Sequence, residues 1–558
     1  MKKNNLKNER GVTITSVLIY IIALTAVVII IGRISTYFYR NMDQVTTNTA
    51  AAAEYTKFNS YFTDEINIEV NEVEFWEPNL IIFSKSENQY TFQGNGIYRN
   101  KVKICKDVEA CTFSYNEDTK KIDVYLKIYN REYNVTYTVA KEVTVPGGSG
   151  NGETTIADLK DKPANGNTTL TDDNGDNITI PDGFNVEKDS PTNVVEGIVI
   201  EDKVDNQYVW IPVFEKSASR DWGADYSSVT TAKTASNSEF TDTDFTNIET
   251  ALKAYTSTYK TRGQSDVWYG DENYGQYGYY DGTEFKYYTN GNMTESEYNT
   301  LYHNMLVSVY KNGGFYIGRY EMGTGVATST DTAQNLTRIS MSEYTPSADE
   351  NSSTTVRTDA EPSIYGMPTP VSKVDAVGYS YITQSQAQML ARKIGQENGY
   401  GTTTSSLMFG VQWNAVCVFI EKYDTNNTAT TKSDWLGSNS YSKLWGNVSN
   451  STFTMDRGYY STTYSNNPVT WNAKAATAKG TSDIWLCTTG ASEQNSSLNI
   501  YDFSGNLYEF TLERNTDHTY PCTLRGGGFN FHDYASRMTV HFVQGNNWIS
   551  SGRPSLFL

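Results

Sequence analysis

The sequence predicts an α+β protein in two parts: an N-terminal transmembrane helix extending into a small antiparallel-sheet domain, then a large irregular α+β domain. Three observations carry this prediction. Val12 to Gly32 is a run of 21 residues without a charge, preceded by Lys2, Lys3, Lys7 and Arg10. KIDVYLKIYNREYNVTYTV, beginning at Lys121, alternates apolar and polar residues on either side of a turn. Two stretches with helical spacing, Gln384 to Ile394 and Val411 to Tyr423, stand among segments rich in Ser, Thr, Asn and Gly.

At about 1.5 Å per residue, the uncharged run reaches roughly 30 Å, the thickness of a bilayer core. The basic residues before it stay on the cytoplasmic side by the positive-inside rule. The expected organisation is a leader over 1–11, a helix and sheet over 12–144 with the membrane span at 12–32, a linker over 145–166 and the large domain over 167–558. Beyond Arg33, Tyr37, Phe38, Met42, Val45, Ala50, Ala53, Phe58 and Phe62 recur at nearly helical spacing, so the helix is expected to continue out of the membrane. Ile122, Val124, Leu126 and Ile128 then face one side of a strand, and Tyr133, Val135, Tyr137 and Val139 return as the second strand of a hairpin.

These N-terminal residues resemble the type IV prepilin family, in which a dedicated peptidase cuts after a glycine that lies ahead of the apolar helix. The matching residues are Arg10, Gly11, Val12 and Thr13, with the cut between Gly11 and Val12. The resemblance implies a prepilin peptidase and other pilin-like subunits as partners, and a single-pass chain whose large domain is extracellular. One position departs from the family: a glutamate is usual at the fifth mature residue, and here it is Ser16. In related systems that departure marks either a tip subunit or a pilin that stays in the membrane.

VPGGSGNGETT, starting at Val145, has the composition of a flexible tether. The segment from about 217 to 300 lacks clear periodicity and reads as a loop-rich insertion. Thr383 stands where a helix N-cap belongs, with Asn398 and Gly399 beyond the far end. A formal charge of −19 excludes nucleic acid as a partner of the main body. The five cysteines are too scattered for a disulfide framework; Cys105 and Cys111 either bridge a loop or are buried free thiols.

Four ordered stretches carry a second resemblance: GGFYIGRYEMG, YITQSQAQMLARKI, SSLMFGVQWNAVCVFIEKY, and NIYDFSGNLYEFT followed by LRGGGFNFHDYASRM. Together they are similar to the formylglycine-generating, sulfatase-modifying family, whose domain is related to the C-type lectin fold. The family oxidises a substrate cysteine with a copper-binding cysteine pair just after the glycine signature. Counting from Arg525, Gly526, Gly527 and Gly528, those positions fall on Phe531 and Ser536, so neither copper nor catalysis of the family type is expected. The resemblance also implies calcium at YDFSGNLYE, held through Asp502, Gly505, Leu507 and Glu509, in competition with a metal-free turn.

A lectin-like fold displays ligand-binding residues on its last segment. Here these are Asn530, Phe531, His532, Asp533, Tyr534, His541, Gln544, Asn546, Asn547 and Trp548, where rings stack on a ligand and amides orient it. The expected function is therefore that of a bacterial cell-surface, pilin-like protein displaying a noncatalytic head that recognises a surface glycan or protein. The alternative is a membrane-tethered enzyme of altered chemistry acting on surface proteins or glycans.

Overall fold

The computed structural model describes residues 51–138, 154–326, 357–462, 471–541 and 549–558, with short gaps inside these stretches. The chain divides into two compact units, Met1–Ser149 and Gly150–Leu558.

In the first unit, helical residues between 51 and 66 pack on two antiparallel sheets. Five short strands, Val73–Glu77, Leu80–Phe83, Gln89–Gln93, Gly96–Arg99 and Val102–Lys106, pair in sequence order. The other sheet joins Val108–Asn116, Lys121–Ile128 and Arg131–Thr138. Its last two strands form the hairpin expected from the alternation. They turn at Tyr129 and Asn130, both with positive φ, 47° and 62°, which suits the twist of a two-residue hairpin loop. Ile122, Val124, Leu126 and Ile128 face a core centred on Phe62, whose ring lies 5.0 Å from those of Phe58 and Tyr90. Two carboxylates, Glu54 and Glu65, are buried in this unit, and Glu65 is the more enclosed. Glu65 accepts hydrogen bonds from Asn88 Nδ2 at 2.8 Å, Tyr90 OH at 3.1 Å and Arg99 Nη2 at 3.2 Å, which replace the water it gives up.

This architecture corrects the expected fold class. Among the described residues no helix is long and apolar enough to cross a membrane. The run at 12–32 lies outside the described residues, as do Gly11 and Val12. The helical residues that are described carry charges that are paired against the sheets: Glu54 pairs with Lys57 at 2.9 Å and Glu65 with Arg99 at 3.2 Å. The expected single-pass membrane location therefore has no support. The expected span feeding one small sheet and one irregular domain gives way to a mixed fold of many small sheets.

The second unit is built around two larger sheets. The first is antiparallel throughout, in the order Asn185–Val186, Val199–Glu201, Gln207–Pro212, Gly314–Gly318, Pro554–Phe557 and Thr404–Leu407. The C-terminal strand thus lies between two strands from far earlier in the chain. The second sheet runs Gln264–Ser265, Tyr508–Asn515, Cys522–Arg525 and Met538–His541, with Ser550–Gly552 parallel to Tyr508–Asn515.

Two helices fall where the periodicity put them. Gln384–Asn398 starts at Thr383, which forms a reciprocal capping box with Gln386, and ends at left-handed Gly399. Gly410–Tyr423 is apolar on nearly every side, and residues 410–420 are all buried. Such a helix belongs inside a core.

Two expected boundaries shift. Ile156, Leu159 and Ala164 are buried in the main core, so the stretch from 154 to 166 is part of the folded unit rather than linker. Within 217–300, read as loops, lies the helix Asp242–Tyr255, capped by Thr241 and Asp244 and burying Ile248, Ala251 and Leu252; a second helix, Glu295–Asn312, begins there too.

Candidate functional site

Two neighbouring elements hold most of the expected site residues: the turn at 502–509 and the segment after the glycine signature. They meet through the backbone. Gly505 N–H donates to the Gly526 carbonyl at 3.2 Å, and Phe529 N–H to the Asn506 carbonyl at 2.9 Å. The turn needs a glycine at 505, where φ is +92° and a Cβ would stand 2.1 Å from the Asn447 carbonyl oxygen. Asn506 ties it further: its Oδ1 accepts from Cys487 N at 3.1 Å and Asn447 Nδ2 at 3.2 Å, and its Nδ2 donates to Glu321 at 2.8 Å.

Beneath this turn the structure gathers three buried carboxylates, Glu321, Asp502 and Glu509, around the buried guanidinium of Arg553. Arg553 Nη2 reaches Glu509 Oε1 at 2.6 Å and Nε reaches Oε2 at 3.0 Å, while the remaining donors bond the carbonyls of Gly318 at 2.9 Å and Tyr501 at 2.8 Å. A planar fork suits this task, because it satisfies a carboxylate and two carbonyls at once. Asp502 accepts from Gly490 N at 2.7 Å, and burial pushes its carboxyl up to about 6. Burial raises Glu321 well above the usual carboxylate range, and the charges of Asp502 and Glu509 add to that. Among these three acids Glu321 is the one whose charged form is least favoured.

Of the residues implied as calcium ligands, Asp502, Gly505, Leu507 and Glu509 do share one turn. Two of their side chains have other duties, Glu509 being engaged by Arg553 and Asp502 by Gly490, and the Leu507 backbone N–H donates to Glu321 at 3.0 Å. A calcium ion at this turn has to compete with Arg553 for Glu509.

The segment after the signature turns at Gly526 and Gly527, with φ of 88° and 92°. Phe529 is buried. Phe531 points outward and is 45% exposed, with its ring centroid 6.1 Å from that of Tyr508. The loop is pinned on both sides of it. Tyr508 OH donates to Asp533 Oδ2, Arg537 lies 3.6 Å from the other Asp533 oxygen, and Ser449 N–H donates to the Phe531 carbonyl at 3.0 Å. Burial and the adjacent Asp533 carboxylate raise the Tyr508 phenol, so it remains a donor. His532 is exposed and Tyr534 half-buried beside it. Asn530 is half-buried too, and its Oδ1 is shielded from solvent without a partner among the described residues.

His541 stands apart, on the strand Met538–His541 with its ring against Phe510 at 6.0 Å. Gln544, Asn546, Asn547 and Trp548 lie outside the described residues. At the positions matching the family's cysteines, Phe531 is the exposed ring and Ser536 Oγ donates to the Leu436 carbonyl at 3.0 Å. All five cysteines are buried and free. Burial pushes the thiols of Cys105 and Cys522 up to about 12, and raises the other three as well.

Sequence reading missed Arg553, Glu321 and a second buried pair, in which Arg525 Nη2 and Nε hold Glu513 at 2.6 and 2.8 Å. The available signal was a charge inside an otherwise apolar or small-residue run, as Arg553 is in SSGRPSLFL.

No family model and no curated protein matches this chain. Among solved structures, a crystal structure of CarF aligns with 44% of this chain and 87% of its own, at 12% identity and a TM-score of 0.23. At that score the alignment carries no argument about fold or function.

Proposed function

We propose that the second unit is a noncatalytic recognition module that binds a carbohydrate through the surface around Phe531. The observation that carries this reading is the exposed Phe531 ring on a loop fixed by Tyr508, Asp533 and Ser449. An aromatic face held rigidly in water costs free energy unless something covers it, and sugars present C–H faces that stack on such rings. His532, Asn530 and Tyr534 beside it supply hydrogen-bonding groups to orient a ligand. The buried, protonated cysteines support recognition rather than thiol chemistry, since the thiolate is the reactive form. In this reading the first unit serves as the carrier through which pilin-like subunits assemble.

A glycan array probed with the full chain tests the proposal. Phe531→Ala removes a half-exposed ring and is expected to weaken the best ligand about tenfold, or about 1.4 kcal/mol. It should leave folding intact, because the ring is not part of the core. Affinity unchanged in that variant refutes the assignment of this surface. Selective binding of a protein in place of any glycan replaces the ligand class, and turnover of a bound ligand overturns the noncatalytic reading.

A further inference from the structure

Away from the Phe531 surface, a cleft of about 90 Å³ opens at the N-terminal end of helix Gly410–Tyr423. That is room for several water molecules, or for one solute of a few heavy atoms. Several of the groups that line it are buried acceptors. Gln264 and Asn414 are only 9% and 7% exposed, yet Gln264 Oε1 and Asn414 Oδ1 have no hydrogen-bond partner among the described residues. The orientation of Gln264 is set by its other end, since Nε2 donates to Asn515 Oδ1 at 3.1 Å. The buried carboxylates of Asp266 and Glu513 complete the floor.

The helix terminus offers nothing to an anion here, because its first amides are already spent: Gly410 N and Val411 N donate to Asp266 at 2.6 and 3.0 Å. Burial and the nearby Glu513 charge push Asp266 up to about 7, while Glu513 itself is paired with Arg525. The rim has the opposite sign. Lys253, partly exposed and paired with Glu249 at 2.5 Å, and Lys260, exposed, line the mouth. Acceptors inside and ammonium groups outside match a ligand with the reverse arrangement.

We propose that this cleft binds a small zwitterion, an α-amino acid, with its ammonium group on Gln264, Asn414 and Asp266 and its carboxylate toward Lys260 and Lys253. The inward ammonium supplies the donors that two buried carbonyls lack, and the carboxylate stays near water, where its desolvation is least. This site is independent of the carbohydrate reading and shares no residue with it.

Saturation-transfer NMR and calorimetry on the full chain, with glycine, methylammonium and acetate as separate probes, test it. Glycine is expected to bind saturably at millimolar concentration, with each half-molecule at least about tenfold weaker. Lys260→Gln, an exposed change that leaves the core untouched, should weaken glycine about tenfold without altering methylammonium. Asn414→Ala should weaken both. The proposal is overturned by the absence of saturable glycine binding, by glycine affinity unchanged in both variants, or by displacement of glycine with potassium or calcium, which would make the floor a metal site.

Discussion

Replacing Arg553 with methionine is the sharpest test of how the second unit is held together. The substitution keeps volume and removes the one cation among Glu321, Asp502 and Glu509. Breaking a buried pair by removing one partner costs about 3–5 kcal/mol. The Gly318 and Tyr501 carbonyls lose their donor too, adding about 1–3 kcal/mol each where water cannot follow. Against a typical domain stability of about 5–15 kcal/mol, the variant is expected to be unfolded or nearly so at room temperature. Two companions keep the test readable. Arg553→Lys retains the charge but not the fork, and should fall between wild type and Arg553→Met. Glu509→Met with Arg553→Met removes both partners and should recover at least about 2 kcal/mol over the single change, because an unpaired buried carboxylate is worse than none. Urea unfolding followed by fluorescence of the buried Trp210 and Trp413 measures all three. A loss below about 1 kcal/mol in Arg553→Met, or a double variant no more stable than the single one, would show that the network is not what stabilises this turn.

Further outcomes follow from the other buried ionisable groups. Asp266 is raised from its ordinary 3.8 to about 7, so its contribution is fully present below about pH 4 and is lost as pH rises through 7. The unfolding free energy of the second unit should therefore rise on acidification from pH 8 to 5, by at most about 3 kcal/mol from this group, and the slope should flatten in Asp266→Asn. Lys479 behaves in the opposite way: burial lowers its ammonium to about 8, so the unfolded chain binds more protons between 8 and 10.5 and stability from this group rises with pH in that window. Its Nζ donates to the carbonyls of Val448 at 3.0 Å, Ser449 at 3.2 Å and Ser451 at 2.9 Å. Lys479→Met should cost about 2 kcal/mol for carbonyls left unpaired. It should also speed amide exchange at residues 529–533, because Ser449 anchors Phe531.

Local order was legible wherever neighbours in sequence are neighbours in space. The hairpin at 121–138 follows from period-two alternation and a two-residue turn, and helix Gln384–Asn398 from Thr383 and Gly399. The helix Asp242–Tyr255 was legible and went unread. Thr241 with Asp244 is a capping box, and Ile248, Ala251 and Leu252 share a face, but the surrounding Ser, Thr and Asp masked the period. The missed boundary near 154 has a similar origin, since Ile156 and Leu159 are two apolar residues in a polar stretch and only their burial distinguishes anchor from tether. The uncharged run at 12–32 satisfies a length criterion by itself, whereas the described helical residues after it carry Glu54, Lys57 and Glu65, charges paired within the folded unit rather than exposed to lipid.

The charge network was illegible for a different reason. Glu321, Asp502, Glu509 and Arg553 come from strands and turns that meet only because the C-terminal strand Pro554–Phe557 inserts beside Gly314–Gly318, and Ser550–Gly552 beside Tyr508–Asn515. No local rule links residue 321 to residue 553. The same insertion bears on the calcium site that the family resemblance implies at 502–509, because the residues of that turn are silent about a guanidinium arriving from another part of the chain. A motif fixes which oxygens converge. What they converge on is decided by tertiary structure, and here Arg553 supplies, with two hydrogen bonds and one positive charge, much of what a cation would bring to Glu509.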